Sequence, residues 1–423
     1  MKNLTRRDFL KISAATAAAA PLISAPSLYG KSANDKINVG VIGTGGMATG
    51  HLRSMLNMNQ LKVIAVCDVD ARNMERAYNI TNERYAEDMK SGVYKGCTKY
   101  KDFRDMLERR DLDAVLIGTP DHWHAVQCVM AANAGKDIYC EKPLTLTIGE
   151  SRDIIHKIRR TGVVFQTGMQ QRTSYDGKFI TAVELVRNGM IGKLISAHVS
   201  VGGPSTVCNL PAEPTPEWLD WDMWLGPAPY RPYNKLLHPG RWRSYIDYSG
   251  GVLTDWGAHH FDIVQWALDA DQSGPVKVCP PGHEGCKTLT YWYKNGVRVE
   301  HGGFEGKGYG ITFVGTHGKV HVCRDWIRTE PEDLLLNPSS MPGDLQLPDC
   351  SGHIGNWVDC IRTRRRPAAD VEVGARSVTV CQLGCVAYWL DRPLKWNPQT
   401  WLFEGDAEAN KWIDRPKRAP WTL

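Results

Sequence analysis

Apolar and polar positions fall into two regimes along this chain. From Lys36 to Gln166, short uninterrupted apolar runs alternate with stretches in which apolar residues recur every three or four positions. Short solid runs are the mark of strands buried on both faces, and the 3.6-residue recurrence is the mark of helices packed on them. The runs are Ile37–Ile42, Leu61–Cys67, Lys99–Tyr100, Ala114–Gly118, Asp137–Cys140 and Val163–Gln166. Helices are expected after Asp68, from an Asp102 cap to about Arg110, after His124 to Ala134, and over Ile148–Arg160. This alternation predicts a doubly wound parallel sheet with its ligand crevice at the carboxyl ends of the strands.

The second regime begins near Thr167. A helix over Phe179–Asn188 closes at Gly189, and Leu194–Val201 alternates like a half-buried strand. Gly202–Gly250 has no period and holds eight of the 24 prolines and four tryptophans, Trp218, Trp221, Trp224 and Trp242. A segment this long without regular pattern is usually functional. It is expected to wrap the rim of a site, with aromatic faces available to stack on sugars. An apolar helix over Phe261–Leu268 follows. Thr288–Tyr293, Val297–Glu300, Ile311–Val314 and Lys319–Val322 then alternate between Gly- and Asn-containing turns, which reads as antiparallel sheet. Helices are expected at His353–Arg364 and Val371–Leu390. The domain boundaries read as 1–33, 34–166, 167–395 and a tail, 396–423.

The first strand runs into Gly43-Thr44-Gly45-Gly46-Met47-Ala48. Gly43 permits a sharp turn, Gly45 lets backbone approach a pyrophosphate, and Ala48 keeps the next helix close to the strand. The helix N-terminus offers free N–H groups and partial positive charge to phosphates. The second run ends at Asp68, twenty residues beyond Ala48, where an acid can accept from an adenosine ribose. Together these mark a Rossmann dinucleotide site. Asp68 would repel a 2′-phosphate, so NAD is favoured over NADP, with Arg72 as the one feature that points the other way.

Bulk properties narrow the classes. The 423 residues suffice for two domains, and the net charge of +5 carries no basic block suited to nucleic acid. Fifteen Trp and fifteen Tyr outnumber eight Phe, a balance that suits sugar-binding surfaces. The twelve cysteines include no CxxC pair, which removes zinc-type spacing and a disulfide scaffold. Cys279 and Cys286 flank the one loop that could carry a local disulfide, whereas Cys381 and Cys385 read as buried thiols. Thr5-Arg6-Arg7-Asp8-Phe9-Leu10-Lys11 followed by the Ala-rich Ile12–Ile23 run is a twin-arginine export signal, too short and weakly apolar to span a membrane. Cleavage is expected between Ala25 and Ala33, leaving a periplasmic protein free of the membrane. Loss of Met1–Gly30 leaves a net charge of about +2. That route carries folded proteins, so a cofactor would travel inside and be held tightly.

GVIGTGG at the turn, Thr119-Pro120-Asp121-His122-Trp123-His124, and above all Cys140-Glu141-Lys142-Pro143-Leu144 resemble the Gfo/Idh/MocA oxidoreductases. The resemblance covers essentially the whole mature chain. Gly250-Gly251-Val252-Leu253-Thr254-Asp255-Trp256-Gly257-Ala258-His259 is similar to that family's GGxxxDxGxH signature. It implies an α/β fold: a Rossmann domain plus an α+β domain with a large open, mainly antiparallel sheet that often packs against a partner chain, hence a homodimer or homotetramer. It also implies a site in which Asp255 and His259 complete Lys142. Asp255 and His259 stand four apart, which on a helix places them on one face. A carboxylate there would raise the imidazole's basicity and orient it. His260 points away from His259, so a metal held by both is not expected, nor any other metal. The family spacing from Asp255 selects His259 as base, with His260 as the alternative.

On this resemblance Lys142 hydrogen-bonds the reacting oxygen, His259 takes the hydroxyl proton, and Asp255 orients His259 or holds a neighbouring hydroxyl. Gly43, Thr44, Gly45, Gly46, Met47 and Asp68 hold the cofactor, while Thr119, Pro120, His124, Glu141, Lys142 and Gln170 line its pocket. Trp242 and Arg243 resemble the family's Trp-Arg pair near the nicotinamide ribose. Three activities are compatible: a sugar, polyol or glycoside oxidoreductase; a redox-neutral NAD-dependent glycosidase; and a non-catalytic sugar-binding protein. A keto-sugar product marks the first and a cleaved glycoside without net redox change the second. Turnover insensitive to loss of Lys142 would support the third.

Overall fold

A computed structural model describes residues 36–335 and 352–423. The twin-arginine segment and its cleavage region lie outside the described residues. The first sheet contains β1 (Ile37–Ile42), β2 (Leu61–Cys67), β3 (Thr98–Tyr100), β4 (Ala114–Ile117), β5 (Asp137–Cys140) and β6 (Phe165–Thr167) in the order β3-β2-β1-β4-β5-β6. Every pairing in it is parallel. The solid apolar runs are explained by position: β4 and β5 are buried at every residue. Helices α1 (Gly46–Met55), α2 (Ala71–Arg84), α3 (Asp121–Asn133) and α4 (Ile148–Thr161) follow strands β1, β2, β4 and β5. Local chemistry sets their ends. Asp70 caps α2 by accepting from the Arg72 N–H, and Thr147 and Glu150 form a reciprocal capping box at α4, which ends at Gly162 with φ +69°.

The second sheet is mixed rather than wholly antiparallel. It contains β7 (Leu194–Ser200), β8 (Lys277–Cys279), β9 (Thr290–Trp292), β10 (Arg298–His301), β11 (Gly310–Gly315), β12 (Lys319–Val322), β13 (Ile327–Glu330), β14 (Leu394–Asn397) and β15 (Leu402–Phe403). Their order is β13-β12-β11-β7-β10-β9-β8-β14-β15, and β7 and β10 are parallel neighbours at its centre. Strands β8, β13, β14 and β15 carry runs too short to announce themselves in the sequence. Helices α5 (Lys178–Arg187), α6 (Val252–Asp255), α7 (Gly257–Ala267), α8 (His353–Thr363) and α9 (Val371–Leu390) complete the frame. The expected Phe261 helix therefore starts earlier, at Gly257, and Trp256 separates it from α6.

Helix α9 belongs to both cores. Val371, Ala375 and Val378 pack with the first sheet, whereas Val380, Cys381, Leu383 and Val386 pack with the second. Two glycines allow this double approach: a Cβ on Gly374 would stand 2.2 Å from Thr167 Oγ1, and one on Gly384 would stand 2.1 Å from the Tyr291 hydroxyl. At the junction, Arg172 is buried and donates to Asp262 on α7 (2.8 and 2.9 Å) and to Asp271 (2.7 and 2.9 Å). Ser377 of α9 donates to the same Asp262 at 2.8 Å.

The Gly202–Gly250 segment is better ordered than its sequence suggests. It includes a short helix, Trp221–Leu225, and Trp221, Trp224, Trp242 and Tyr248 are buried in a small core of their own. The expectation of free tryptophan faces is corrected for Trp221, whose ring stacks on Trp224 at 4.6 Å, whereas Trp224 and Trp242 still present part of their surface to a cavity. Cys279 and Cys286 are separate thiols, Cys279 Sγ donating instead to the carbonyl of His283 at 3.3 Å. Cys381 and Cys385 are buried thiols, as read from the sequence. The C-terminal segment docks on the first core, where Trp421 lies 4.6 Å from Trp123 and 6.2 Å from Phe103. No helix among the described residues is long and apolar enough to cross a membrane.

Substituting Arg172 by Met leaves Asp262 buried without its cation. Removal of one partner from such a buried network costs about 3–5 kcal/mol. Urea denaturation of Arg172→Met should show a loss of that order, and an unchanged midpoint would show that the network does not brace the fold.

Candidate active site

A cavity of about 500 Å³ opens at the carboxyl ends of β1, β2 and β4. Gly43 takes φ +76°, and a Cβ there would stand 2.7 Å from Thr119 Cγ2, so the turn needs glycine for both conformation and space. A Cβ on Gly118 would lie 2.7 Å from that of Ala48, which is how closely α1 approaches β4. No side chain caps the N-terminus of α1, and positions 45 and 46 face space free of protein atoms for at least 4 Å. That leaves its first N–H groups directed at the cavity, the arrangement that receives a pyrophosphate.

Gly43, Gly45, Gly46, Met47, Asp68, Thr119, Pro120, Trp242 and Arg243 line this cavity. Asp68 does so while holding the turn: its Oδ2 accepts from Thr44 N (2.6 Å) and Thr44 Oγ1 (3.0 Å), and its Oδ1 accepts from Asp70 N (2.9 Å). One acceptor position of the carboxylate remains. Burial raises the Asp68 pKa, and the Thr44 and Asp70 hydrogen bonds oppose that rise. Arg72, the feature that pointed to NADP, is engaged elsewhere. Asp70 binds it through two nitrogens (3.1 and 2.9 Å), and its guanidinium lies 3.2 Å from the centre of the Trp218 ring. Arg76 and Lys101, which no motif singled out, join Arg243 as cations on the cavity wall.

Five residues expected in the pocket lie outside its walls, Lys142 among them. Thr44 is turned to Asp68. His124 is buried with ring nitrogens 2.8 Å from the carbonyl oxygens of Pro143 and Thr119, so it braces the two strand-end loops and leaves no nitrogen for a ligand. Glu141 and Gln170 form a buried network: Glu141 Oε1 lies 2.7 Å from His51 Nε2 and accepts from Gln170 Nε2 at 2.8 Å. Burial opposes ionisation of Glu141, but the His51 hydrogen bond and the charges of His51 and Lys142 outweigh it and hold the carboxyl at about 2. His51, on the buried side of α1, carried no motif of its own.

Lys142 follows β5 and reaches across to the second half of the chain. Its Nζ donates to Asp255 Oδ1 at 2.6 Å and to the Asp255 carbonyl at 3.2 Å, and Arg243 Nε donates to the same Oδ1 at 3.1 Å. Burial raises the Asp255 pKa, but the Lys142 and Arg243 charges overcome this and lower it overall. The expected Asp255–His259 partnership is thus corrected: the carboxylate is taken by two cations, and the break at Trp256 separates it from the helix carrying His259. His259 is buried beside Lys142, and neither ring nitrogen hydrogen-bonds a described residue. Burial, with the charges of Lys142 and Arg324, holds it well below the ordinary imidazole range. His260 instead lies 3.1 Å from the Trp256 carbonyl, and burial pushes it down to about 4. A further buried acid, Asp121, accepts from Ser249 Oγ at 2.6 Å, and burial pushes it up to about 7.

Comparison with known proteins agrees with this geometry. Residues 37–169 match the family description "Oxidoreductase family, NAD-binding Rossmann fold", and residues 185–423 match "Oxidoreductase family, C-terminal alpha/beta domain". Residues 3–20 match a twin-arginine translocation signal. A glycosyl hydrolase family 109 protein of Shewanella sp. (strain MR-4) is 31% identical over 217 residues, 47% of this chain and 46% of the relative. Inositol 2-dehydrogenase of Salmonella agona is 29% identical over 173 residues, 40% of this chain and 47% of the relative. The matches span about half the length of these relatives. A WlbA dehydrogenase from Chromobacterium violaceum, solved with NADH and UDP-GlcNAcA, superposes with a TM-score of 0.61 at 16% identity, covering 86% of this chain and 97% of the other. The uncapped α1 terminus, the open space at positions 45 and 46 and the acid at the end of β2 fit NAD.

The low His260 pKa has a thermodynamic consequence. Between about pH 6.5 and 4 the unfolded chain takes up a proton on this imidazole that the folded chain refuses, so its contribution to stability is complete above that window and lost on acidification. The stability advantage of wild type over His260→Gln should shrink as pH falls from about 6.5, by at most about 1.4 kcal/mol per pH unit. Urea unfolding across that range measures it, and a pH-independent difference would show His260 to titrate normally.

Proposed function

The chain belongs to the Gfo/Idh/MocA oxidoreductase family, and on that premise we propose that it oxidises a hydroxyl of a sugar, polyol or glycoside with a tightly held NAD in the periplasm. The observation that carries the reading is the buried Lys142–Asp255 pair, 2.6 Å long, standing beside a neutral His259 whose nitrogens have no partner among the described residues. When bound, NAD supplies the acceptor for the hydride that leaves the carbinol carbon. Gly45, Gly46, Met47 and Asp68 would hold it, with Trp242 and Arg243 also on the cavity wall.

The remaining work falls to side chains. Asp255 orients Lys142, whose third N–H donates to no described residue and can donate to the substrate oxygen, lowering the cost of alkoxide character. His259, kept unprotonated by its surroundings, accepts the hydroxyl proton as the C–H bond breaks. Asp255 acts on Lys142 in this scheme, not on the imidazole. Glu141, Gln170 and His51 fix the backbone that presents Lys142.

The glycosyl hydrolase relatives favour one second reading, in which oxidation of a ring carbon is transient. It acidifies the adjacent C–H, the aglycone leaves by elimination, water adds, and the hydride returns to the sugar. Analysis of products distinguishes the two: a keto-sugar for net oxidation, a cleaved glycoside for the redox-neutral route. In both, we propose a homodimer or homotetramer built on the nine-stranded sheet, to be tested by light scattering.

Protein purified from the periplasm without added nucleotide should contain about one NAD per chain. No nucleotide, and no gain on adding NAD, would overturn both enzymatic readings. His259→Ala should lower turnover by about 10²–10⁴-fold, the usual worth of a general base. The acid limb of kcat/KM should lie well below pH 6.5, since protonation of His259 is disfavoured. If His260→Ala abolishes turnover and His259→Ala does not, the base has been misassigned.

A further inference from the structure

Arg324, on the turn between β12 and β13, is a cation with no task in the chemistry above. Its guanidinium carbon lies 4.5 Å from the centre of the Trp256 ring and 4.7 Å from that of Tyr175. Trp256 links Asp255 to the helix carrying His259, so this charge stands against the catalytic segment. The coupling is mutual: Arg324 depresses His259 and His260, and the charges of Asp255 and Glu141 act back on Arg324.

Among the described residues the guanidinium donates to nothing, and its Nε is buried without an acceptor. Arg231, Arg376 and Arg415 also have a buried Nε without an acceptor, but each donates through a terminal nitrogen. Arg172 has two carboxylates, Arg376 donates to the Pro398 carbonyl at 2.6 Å, and Arg415 donates to that of Ile246 at 2.7 Å. Arg324 is half-buried, and withdrawing part of a guanidinium from water without acceptors is unfavourable, an effect that aromatic faces offset only in part. Rings over the cation leave its N–H donors in the plane, the arrangement that meets a planar carboxylate through two hydrogen bonds. Beside it, Tyr309 is 38% exposed and lies 4.9 Å from Trp256, which gives a sugar ring an apolar face to rest on.

We propose that Arg324 recognises the carboxylate of the substrate, so that the site takes acidic sugars, uronic acids or their glycosides, in preference to neutral ones. This rests on the oxidoreductase reading for what happens next, and not for the binding itself. Arg324 thereby sets specificity, and Lys142 and His259 act on a hydroxyl of the same ring.

The test compares methyl β-D-glucuronide with methyl β-D-glucoside, titrated into the NAD-loaded protein by calorimetry. Wild type should bind the uronide about 10- to 100-fold more tightly, the usual worth of a charge-assisted hydrogen bond. The ratio should fall to near one in Arg324→Gln and be partly kept in Arg324→Lys, both with unchanged melting temperature. A merely structural arginine would weaken both ligands alike and leave the ratio in place. Equal binding by wild type, or none, overturns the proposal. Oxidation of the neutral glycoside without preference overturns it too and leaves the oxidoreductase reading standing. Selective uronide binding with no turnover of either ligand supports the carboxylate site and overturns the oxidoreductase reading alone.

Discussion

The bond from Lys142 to Asp255 is the constraint on which the site depends. Lys142 follows strand β5 of the parallel sheet, and Asp255 ends a short helix of the second half, 113 residues later. An ammonium withdrawn from water needs a carboxylate, and a carboxylate in such surroundings needs its cation. Each half therefore supplies what the other must have, and the site exists only where the halves meet. Arg243 adds a second cation to the same carboxylate oxygen, which ties the wall of the cavity to the Lys142–Asp255 pair.

Around that bond the charges are sorted by burial. Glu141 stays ionised because His51 and Lys142 stand beside it, whereas at Asp121 burial outweighs the Arg243 charge and the Ser249 hydroxyl and pushes it up to about 7. The imidazoles near the pair go the other way. His260 and His353 are driven to about 4 by burial, and His259 is held low as well. A fixed positive charge for the oxygen and a neutral acceptor for the proton are what alcohol oxidation requires near neutral pH.

Mechanical support comes from α9. Its first turns pack against β6 and its later turns against β9, with Gly374 and Gly384 admitting Thr167 and Tyr291 where any side chain would collide. Arg172, Asp262 and Ser377 close the same junction with buried hydrogen bonds. A helix shared by two cores makes relative movement of the sheets costly, and so fixes the distance across which Lys142 reaches.

Local chemistry was legible before any coordinates. The solid apolar runs specified a parallel sheet because strands covered on both faces can hold nothing else, and Gly43, Gly45 and Ala48 declared the turn through steric needs confined to a few residues. Lys142, Asp255 and His259 were legible through motifs. Partnership was not. Spacing along a helix offered Asp255 to His259, but the backbone breaks at Trp256 and two cations from distant strands and loops claim the carboxylate first. The tryptophans of the irregular segment looked free because sequence does not say what packs on what. His51, Arg76 and Arg324 carry no local pattern at all. The sequence by itself determined which elements form and which reactive groups the chain owns, since those follow from neighbours in the chain. Only the tertiary structure decided which charges meet and which are left without a partner, because that depends on burial and on contacts between residues far apart in sequence.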